Sequence, residues 1–265
     1  MKRVLSATAL AVPLLFILWF APPIVFLFLV LIVAFIAGWE CSGFLLACGW
    51  SGRKWEVALD ASALALAVGT GGLIAGLALT LIVLRVLVQA LYAGSPREGI
   101  TGAGVSVLAA LWIGGPAGLF AASRAVSSDG RELIIFLLVV VWANDIGAYY
   151  FGRALGRRKL APSISPGKTV EGAIGGLASG VVAGAALAVW IGEPGGGMLI
   201  LVSVSLLLGL FAQAGDLFES LFKRAAGAKD SGALIPGHGG ILDRIDGLLL
   251  AAPPFYYFLK WTAVG

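Results

Sequence analysis

Long apolar stretches run through this 265-residue sequence, and charged residues are almost absent from them. A helix that crosses about 30 Å of hydrocarbon needs about 20 apolar residues, and several stretches have that length. The sequence is 60% hydrophobic and 12% charged, with a mean hydropathy of +1.00, so a water-soluble fold would expose large apolar patches. The stretches are continuous, whereas barrel strands alternate. The sequence therefore predicts an all-α, polytopic membrane protein with about nine transmembrane helices.

The shortest of the nine predicted helices has 14 residues, at 57–70. Lys2 and Arg3 precede the first one, as in a secretory signal peptide, but no small-x-small cleavage site follows. We therefore expect this helix to be retained. The predicted bounds are 4–20, 22–38, 57–70, 73–91, 102–122, 133–152, 170–191, 198–222 and 241–261.

Basic residues predict the orientation, because they collect in cytoplasmic loops. With a cytoplasmic N-terminus and nine crossings, 14 of the 18 Lys and Arg residues lie on the cytoplasmic side. Arg124, Arg131 and Lys260 lie outside, and Arg85 lies within a helix. This bias predicts a multi-pass protein of a bacterial-type inner membrane whose polar loops face the cytoplasm. The formal charge of +4 comes from these loops, which lack interleaved aromatics, so nucleic-acid binding is not expected.

Polar residues divide the chain into a predicted scaffold, residues 1–132, and a predicted catalytic region, residues 133–265. The helices of the first region are nearly featureless apart from Glu40 and Arg85. Its two cysteines, Cys41 and Cys48, are too few for a disulfide framework or a zinc site, and we expect them to be packing residues. In the second region, three glycines recur every fourth residue on one helix face, which lets a neighbouring helix approach closely. They are Gly176, Gly180 and Gly184.

Five carboxylates lie inside or at the mouths of the predicted helices in the second region. Each is costly there unless it is paired, hydrated or bound to a cation. The residues are Asp145, Asp216, Glu219, Asp243 and Asp246. A spacing of three places Asp216 and Glu219 on one helix face, and likewise Asp243 and Asp246. Carboxylates on facing helices suit Mg²⁺; the alternative is ion pairing between helices, with Lys223, Arg224 and Arg244 as partners.

Two polar connections carry cations beside glycines. The first follows the eighth helix and contains Lys229 and the only histidine, His238. This connection contains four glycines, which leave backbone N–H groups free to approach an anion. The glycines are Gly232, Gly237, Gly239 and Gly240. The second, Ser165–Gly172, places Ser165 and Lys168 ahead of a helix N-terminus, which is a natural anion site. It lacks the leading glycine and strand of a Walker A motif. Both connections are predicted to bind phosphate.

A specific resemblance rests on these residues. The 27 positions from Ser220 to Asp246 resemble the signature of the phosphatidate cytidylyltransferases, also called CDP-diacylglycerol synthases. The segments 144–149 and 165–172 are also similar to that family, so the resemblance extends from residue 133 to the C-terminus. It implies the reaction of CTP with phosphatidate to give CDP-diacylglycerol and pyrophosphate. It also implies Mg²⁺, with Mn²⁺ as a substitute and K⁺ as a second cation that the family allows.

The resemblance also assigns roles. Phosphate binding and catalysis are expected of five cations: Lys168, Lys223, Arg224, Lys229 and Arg244. Asp230 and His238 are expected to orient a substrate or cation. The metal ligands are expected to be Asp216, Asp243 and Asp246, with Glu219 as an auxiliary. The remaining substrate contacts are expected from Asn144, Asp145, Ser165, Ser220, Gly237, Gly239 and Gly240.

The expected partners are CTP, phosphatidate and the lipid bilayer, and a homodimer is left open. Two other functions also remain open. Intramembrane acids and glycine-broken helices also mark ion-coupled transporters, but those contain repeated halves, and this sequence shows no internal repeat. Another membrane lipid-phosphate transferase, such as one that joins a CDP-activated lipid to an alcohol, would cluster its acids in a single motif that is not found.

Overall fold

The computed structural model describes residues 2–47, 50, 52–127, 129–191, 197–232 and 239–264. The protein is all-α, with 83% of the described residues in helices. In the described residues the helices are α1 (Lys2–Phe20), α2 (Pro23–Ala47), α3 (Lys54–Thr70), α4 (Leu73–Leu91), α5 (Pro96–Ser123), α6 (Gly130–Leu155), α7 (Val170–Ile191), α8 (Met198–Ala225) and α9 (Leu242–Val264). Two short strands, β1 (Lys159–Ala161) and β2 (Ser165–Thr169), lie between α6 and α7.

Six helices in the described part of the chain are long and apolar enough to cross a membrane, namely α2, α4, α5, α6, α7 and α8. The other three do not meet that standard. In α1 the apolar helical stretch is Ala11–Phe20, which is too short to cross a membrane. Helix α3 has 17 residues, and α9 carries charged residues in its first turn and near its end. The all-helical membrane fold is therefore confirmed, and the count of nine crossings is not.

The predicted helix bounds agree best with the observed ones where the apolar run is uninterrupted. The predicted bounds of α4 and α7 are those observed, whereas α2 continues for nine residues beyond the predicted end at Gly38. Gly38 does not end the helix. It lies against α3 so closely that an added Cβ would be 2.9 Å from the Ala58 Cα atom. Glu40 and Cys41 are therefore helical and buried, while Cys48 lies outside the described residues.

The connection between α6 and α7 is a hairpin, where a loop was expected. β1 and β2 are antiparallel, with Lys159 opposite Thr169 and Ala161 opposite Ser165. Glu171, in the first turn of α7, accepts hydrogen bonds from the backbone N–H groups of Arg157 at 2.9 Å and Arg158 at 3.1 Å. The hairpin ends directly at the start of α7, so its last residues are held at a helix N-terminus.

The chain divides into two compact units. The first comprises Met1–Ala122 and Phe222–Ile245, and the second comprises Ser123–Leu221 and Asp246–Gly265. The predicted functional division into residues 1–132 and 133–265 concerns scaffold and catalysis, and it stays a prediction.

In the first unit, a polar network satisfies the charged residues of α3 and α4. Arg85 forms an ion pair with Asp60 and donates a hydrogen bond to Gln89 at 2.9 Å. Gln89 in turn donates to Glu56 at 2.8 Å. Arg85, which is an exception in an apolar helix, is thus compensated by α3 acids, as a charge inside a membrane must be.

In the second unit, the glycines of α7 lie against α6, as their spacing predicts. A Cβ added at Gly176 would lie 2.7 Å from the carbonyl oxygen of Asn144, and one at Gly180 would lie 3.1 Å from that of Val140. A Cβ added at Gly184 would lie 3.0 Å from the Val140 side chain. This face has no space for larger residues, so the two backbones pack directly on each other.

Replacing Gly176 by Ala is therefore expected to destabilise the protein by about 1–3 kcal/mol, the usual cost of overpacking. Gly76→Ala is the matched control, because a Cβ at Gly76 would meet nothing within 4 Å. Thermal unfolding in detergent measures both variants. Equal unfolding temperatures would show that α6 and α7 do not depend on this close approach.

Candidate functional site

Four carboxylates of the second unit form an acidic cluster, defined here as Asp145, Asp216, Glu219 and Asp246. Asp246 lies within electrostatic range of the other three. Glu219 is fully buried, whereas the side chain of Asp216 is 40% exposed. Carboxylates this close repel one another in apolar surroundings. The cluster therefore favours a bound cation or a positively charged neighbour.

Two glycines allow α8 and α9 to approach each other where the cluster forms. A Cβ added at Gly215 would overlap the carbonyl oxygen of Asp246, and one at Gly247 would lie 3.1 Å from the carbonyl oxygen of Ala212. Asp216 follows Gly215 directly, and Asp246 precedes Gly247. The small residues thus bring the two backbones together at the positions that carry the acids.

Lys168 supplies a positive charge to the acidic cluster. Its Nζ atom lies 2.6 Å from Oδ2 of Asp216, and the Ser220 hydroxyl donates to Oδ1 of Asp216 at 3.4 Å. Strand β2 positions this lysine, because Thr169 ends the strand and its hydroxyl accepts the Gly172 N–H at 3.1 Å at the start of α7. The predicted anion site ahead of α7 and the predicted metal ligands of α8 therefore meet in one unit. Ser165 begins the same strand.

A buried amide network lies beside the cluster. Gln213 donates from Nε2 to the Asn144 Oδ1 atom and to the Ala173 carbonyl, both at 2.9 Å. Asn144 is fully buried, and its amide nitrogen donates to Asp145 at 3.3 Å. These contacts join α6, α7 and α8 through polar atoms. Gln213 was not among the predicted site residues, although its place three residues before Asp216 puts it near the same face.

The carboxylates of the acidic cluster fit Mg²⁺ only if waters and substrate phosphates supply its other ligands. Among the described residues, no three His, Cys, Asp or Glu side chains converge closely enough to hold an ion by themselves. Mg²⁺ in phosphate-transferring enzymes is commonly held by one or two carboxylates, with waters and substrate phosphates as the other ligands. Asp216 and Asp246, close to each other and flanked by Glu219, suit that arrangement.

In the first unit, Asp243 is fully engaged by protein donors. Its Oδ1 atom lies 2.7 Å from Lys223 Nζ. Its Oδ2 atom accepts the backbone N–H groups of Ser231 and Gly240, each at 2.8 Å, and lies 2.7 Å from the Ser231 hydroxyl. This is the arrangement that the ion-pairing alternative describes, and the role of Asp243 as a metal ligand stays a prediction.

The other predicted residues of the first unit lie in the same part of the chain. Arg224 donates to the Ala228 carbonyl at 3.4 Å, and the backbone N–H of Arg244 donates to the Ile241 carbonyl at 2.9 Å. Lys229 and Asp230 are exposed. Gly239 has a φ of +76°, which favours glycine. Gly237 and His238 lie outside the described residues.

The sequence of this protein matches known proteins along most of its length. Residues 1–262 match the sequence pattern described as the Cytidylyltransferase family. Proteins named phosphatidate cytidylyltransferase from Brucella suis biovar 1 and Brucella abortus biovar 1 are each 48% identical over 166 residues, which are 62% of this chain and 57% of theirs. One of the same name from Staphylococcus aureus (strain COL) is 47% identical over 126 residues, 48% of each chain. The chain thus spans less than two thirds of the length of these relatives.

Proposed function

This chain belongs to the cytidylyltransferase family, and from that premise we propose that it transfers the cytidylyl group of CTP to phosphatidate, giving CDP-diacylglycerol and pyrophosphate. It is an integral membrane protein, and its lipid substrate would reach it through the bilayer. The observation that carries the proposal beyond the family is the contact of Lys168 with Asp216 beside Asp246. It supports the proposal because a lysine that we assign to substrate phosphate lies next to carboxylates of the kind that bind metal.

The reaction needs little proton transfer. A phosphate monoester has a second pKa near 6, so phosphatidate is largely dianionic at neutral pH and can attack without a strong base. One of its oxygens would form a bond to the α-phosphorus of CTP while the bond from that phosphorus to the β-phosphate oxygen breaks. The barrier is electrostatic, because a dianion must approach a triphosphate. Fixed positive charges placed before the reaction lower such a barrier most effectively.

The cations of the chain would supply those fixed charges. We assign to the substrate phosphates Lys168, Lys223, Arg224, Lys229 and Arg244. Backbone N–H groups at Gly237, Gly239 and Gly240 and the hydroxyls of Ser165 and Ser220 would add hydrogen bonds. Asn144 and Asp145 would line the polar cavity, and Asp230 and His238 would orient a substrate or cation.

The carboxylates would hold the metal. We assign it to Asp216 and Asp246, with Glu219 as an auxiliary and Asp243 as a further candidate. When bound, Mg²⁺, or Mn²⁺ in its place, would neutralise charge on the triphosphate and on the departing pyrophosphate. The protein's own part is to hold Asp216 and Asp246 near each other, at the point where α8 and α9 approach.

The reaction test uses purified protein in mixed micelles with phosphatidate, Mg²⁺ and radiolabelled CTP. We expect CDP-diacylglycerol and pyrophosphate in equal amounts, and we expect excess EDTA to abolish both. CTP hydrolysis alone, or no lipid product, would contradict the proposed function. Full turnover in EDTA would contradict the metal assignment and leave the transferase function standing.

Asp216→Asn and Asp246→Asn are each expected to lower kcat by at least about a hundredfold, the loss typical of removing one major electrostatic stabiliser. Asp129→Asn, at an exposed position before α6, is the control and should keep normal turnover. Rates are compared per folded molecule after gel filtration. Near-normal turnover in either test variant would remove that carboxylate from the metal site.

Orientation is the remaining part of the proposal. Nine crossings with a cytoplasmic N-terminus would place the residues 153–169 and 223–240 on the cytoplasmic side, where CTP is found. In a background lacking Cys41 and Cys48, cysteines at Ser163 and Ala228 should resist an impermeant thiol reagent added to intact cells, whereas one at Ala125 should react. Labelling of the first two from outside would reverse the proposed orientation.

A further inference from the structure

Glu40 lies in α2, in the region predicted to be scaffold, yet its carboxylate accepts hydrogen bonds from residues 220–246, which we call the signature segment. It is the only charged residue of α2 and is 8% exposed. Its Oε1 atom accepts the backbone N–H of Ile241 at 3.0 Å, and its Oε2 atom accepts that of Leu242 at 2.8 Å. A buried carboxylate in an apolar helix is costly unless donors satisfy it. These donors come from some 200 residues further along the chain.

The two N–H groups belong to the start of α9. The first N–H groups of a helix have no partner within the helix, and the helix dipole makes that end positive. A carboxylate is the best neutralising group for such an end. Glu40 therefore caps the start of α9 from a different helix.

Two glycines of the signature segment leave space for the carboxylate. A Cβ added at Gly232 would lie 2.8 Å from the Glu40 Oε1 atom, and one at Gly240 would overlap Glu40 Oε2 and the Ser231 hydroxyl. Neither position can take a side chain while Glu40 stays in place. The glycines thus serve the approach of this acid as well as any approach of a phosphate.

Ser231 connects Glu40 to the charged pair of the first unit. Its hydroxyl lies 3.1 Å from Glu40 Oε2 and 2.7 Å from Asp243 Oδ2, and Asp243 pairs with Lys223 at 2.7 Å. Displacing Glu40 would leave the hydroxyl with Asp243 alone and would free the start of α9. The position of Lys223, assigned above to substrate phosphate, therefore depends on an acid of α2.

We propose that Glu40 is a positioning residue for cytidylyl transfer: it holds Ser231 and the start of α9, and through them the Asp243–Lys223 pair, whose lysine is assigned to a substrate phosphate. This rests on the proposed function. The role is distinct from a contact with substrate, because the carboxylate is buried and its hydrogen bonds go to the protein.

The kinetic test is Glu40→Gln, which keeps the shape but presents an NH₂ group to N–H donors. We expect kcat per folded molecule to fall about 10-fold to 100-fold, as for a small misplacement of a catalytic group. KM for phosphatidate should stay within about twofold. A merely structural role would lower the yield or unfolding temperature and leave kcat per folded molecule unchanged. Glu98→Gln, at an exposed glutamate of α5, is the matched control and should match the wild type. A kcat within twofold of wild type would overturn the proposal.

A second measurement does not depend on catalysis. In Glu40→Gln the amides of Ile241 and Leu242 should exchange hydrogen at least about tenfold faster than in the wild type, while those of α4 stay unchanged. Unchanged exchange would overturn the proposal even if the reaction is confirmed. Faster exchange in a protein that makes no CDP-diacylglycerol would overturn the proposed function and keep the contact.

Ser231→Ala covers the case in which Glu40→Gln does not fold. It removes only the hydroxyl that lies between the two carboxylates, and kcat should fall about threefold to tenfold, the value of one hydrogen bond. Ser203→Ala, which removes an exposed hydroxyl of α8, is its control. Equal turnover in the two serine variants would count against the connection from Glu40 to Asp243.

Discussion

A carboxylate among apolar helices must be met by donors or by a cation, since hydrocarbon offers it neither, and much of the polar structure of this protein follows from that requirement. Three acids meet it in three ways. Asp60 forms an ion pair with Arg85. Asp243 forms an ion pair with Lys223 and accepts hydrogen bonds from backbone N–H groups, and Glu40 accepts hydrogen bonds from backbone N–H groups at the start of a distant helix. The acidic cluster of the second unit differs because it gathers four carboxylates. Under the proposed function, the cluster would hold a cation that arrives with the substrates.

The helices could be predicted because the bilayer demands long apolar runs, and the predicted bounds of α4 and α7 are the observed ones. The end of α2 could not, because Gly38 resembles a helix stop and the polar residues after it resemble a loop. In the folded chain that glycine is a packing position, which only the neighbouring α3 reveals. The hairpin was missed for a related reason. Its second strand is short and contains proline and glycine, and it is stabilised by Glu171 and the start of α7 rather than by strand propensity.

The candidate site was predictable in its composition but not in its pairing. Helical spacing alone placed Asp216 and Glu219 on one face, and the structure brings Asp246 to them. Which loop cation meets which acid depends on tertiary packing, so the contact of Lys168 with Asp216 had no local signal. Gln213 and Ser231 were overlooked because neutral polar residues are common. Glu40 stood out as a lone acid, but the predicted helix ended at Gly38, so its burial within α2 had no signal in the sequence.

The ion pair between Lys168 and Asp216 gives the protein a resting state in which each charge already has a counter-ion. Under the proposed function, a nucleotide phosphate that binds the lysine would leave the carboxylate free, and a divalent cation that binds the carboxylate would leave the lysine free. Each ligand would thus remove a competitor of the other, and by thermodynamic linkage the two would strengthen each other's binding to the same degree. The pair would then hold these two charges against each other, and the cation and the nucleotide would bind cooperatively.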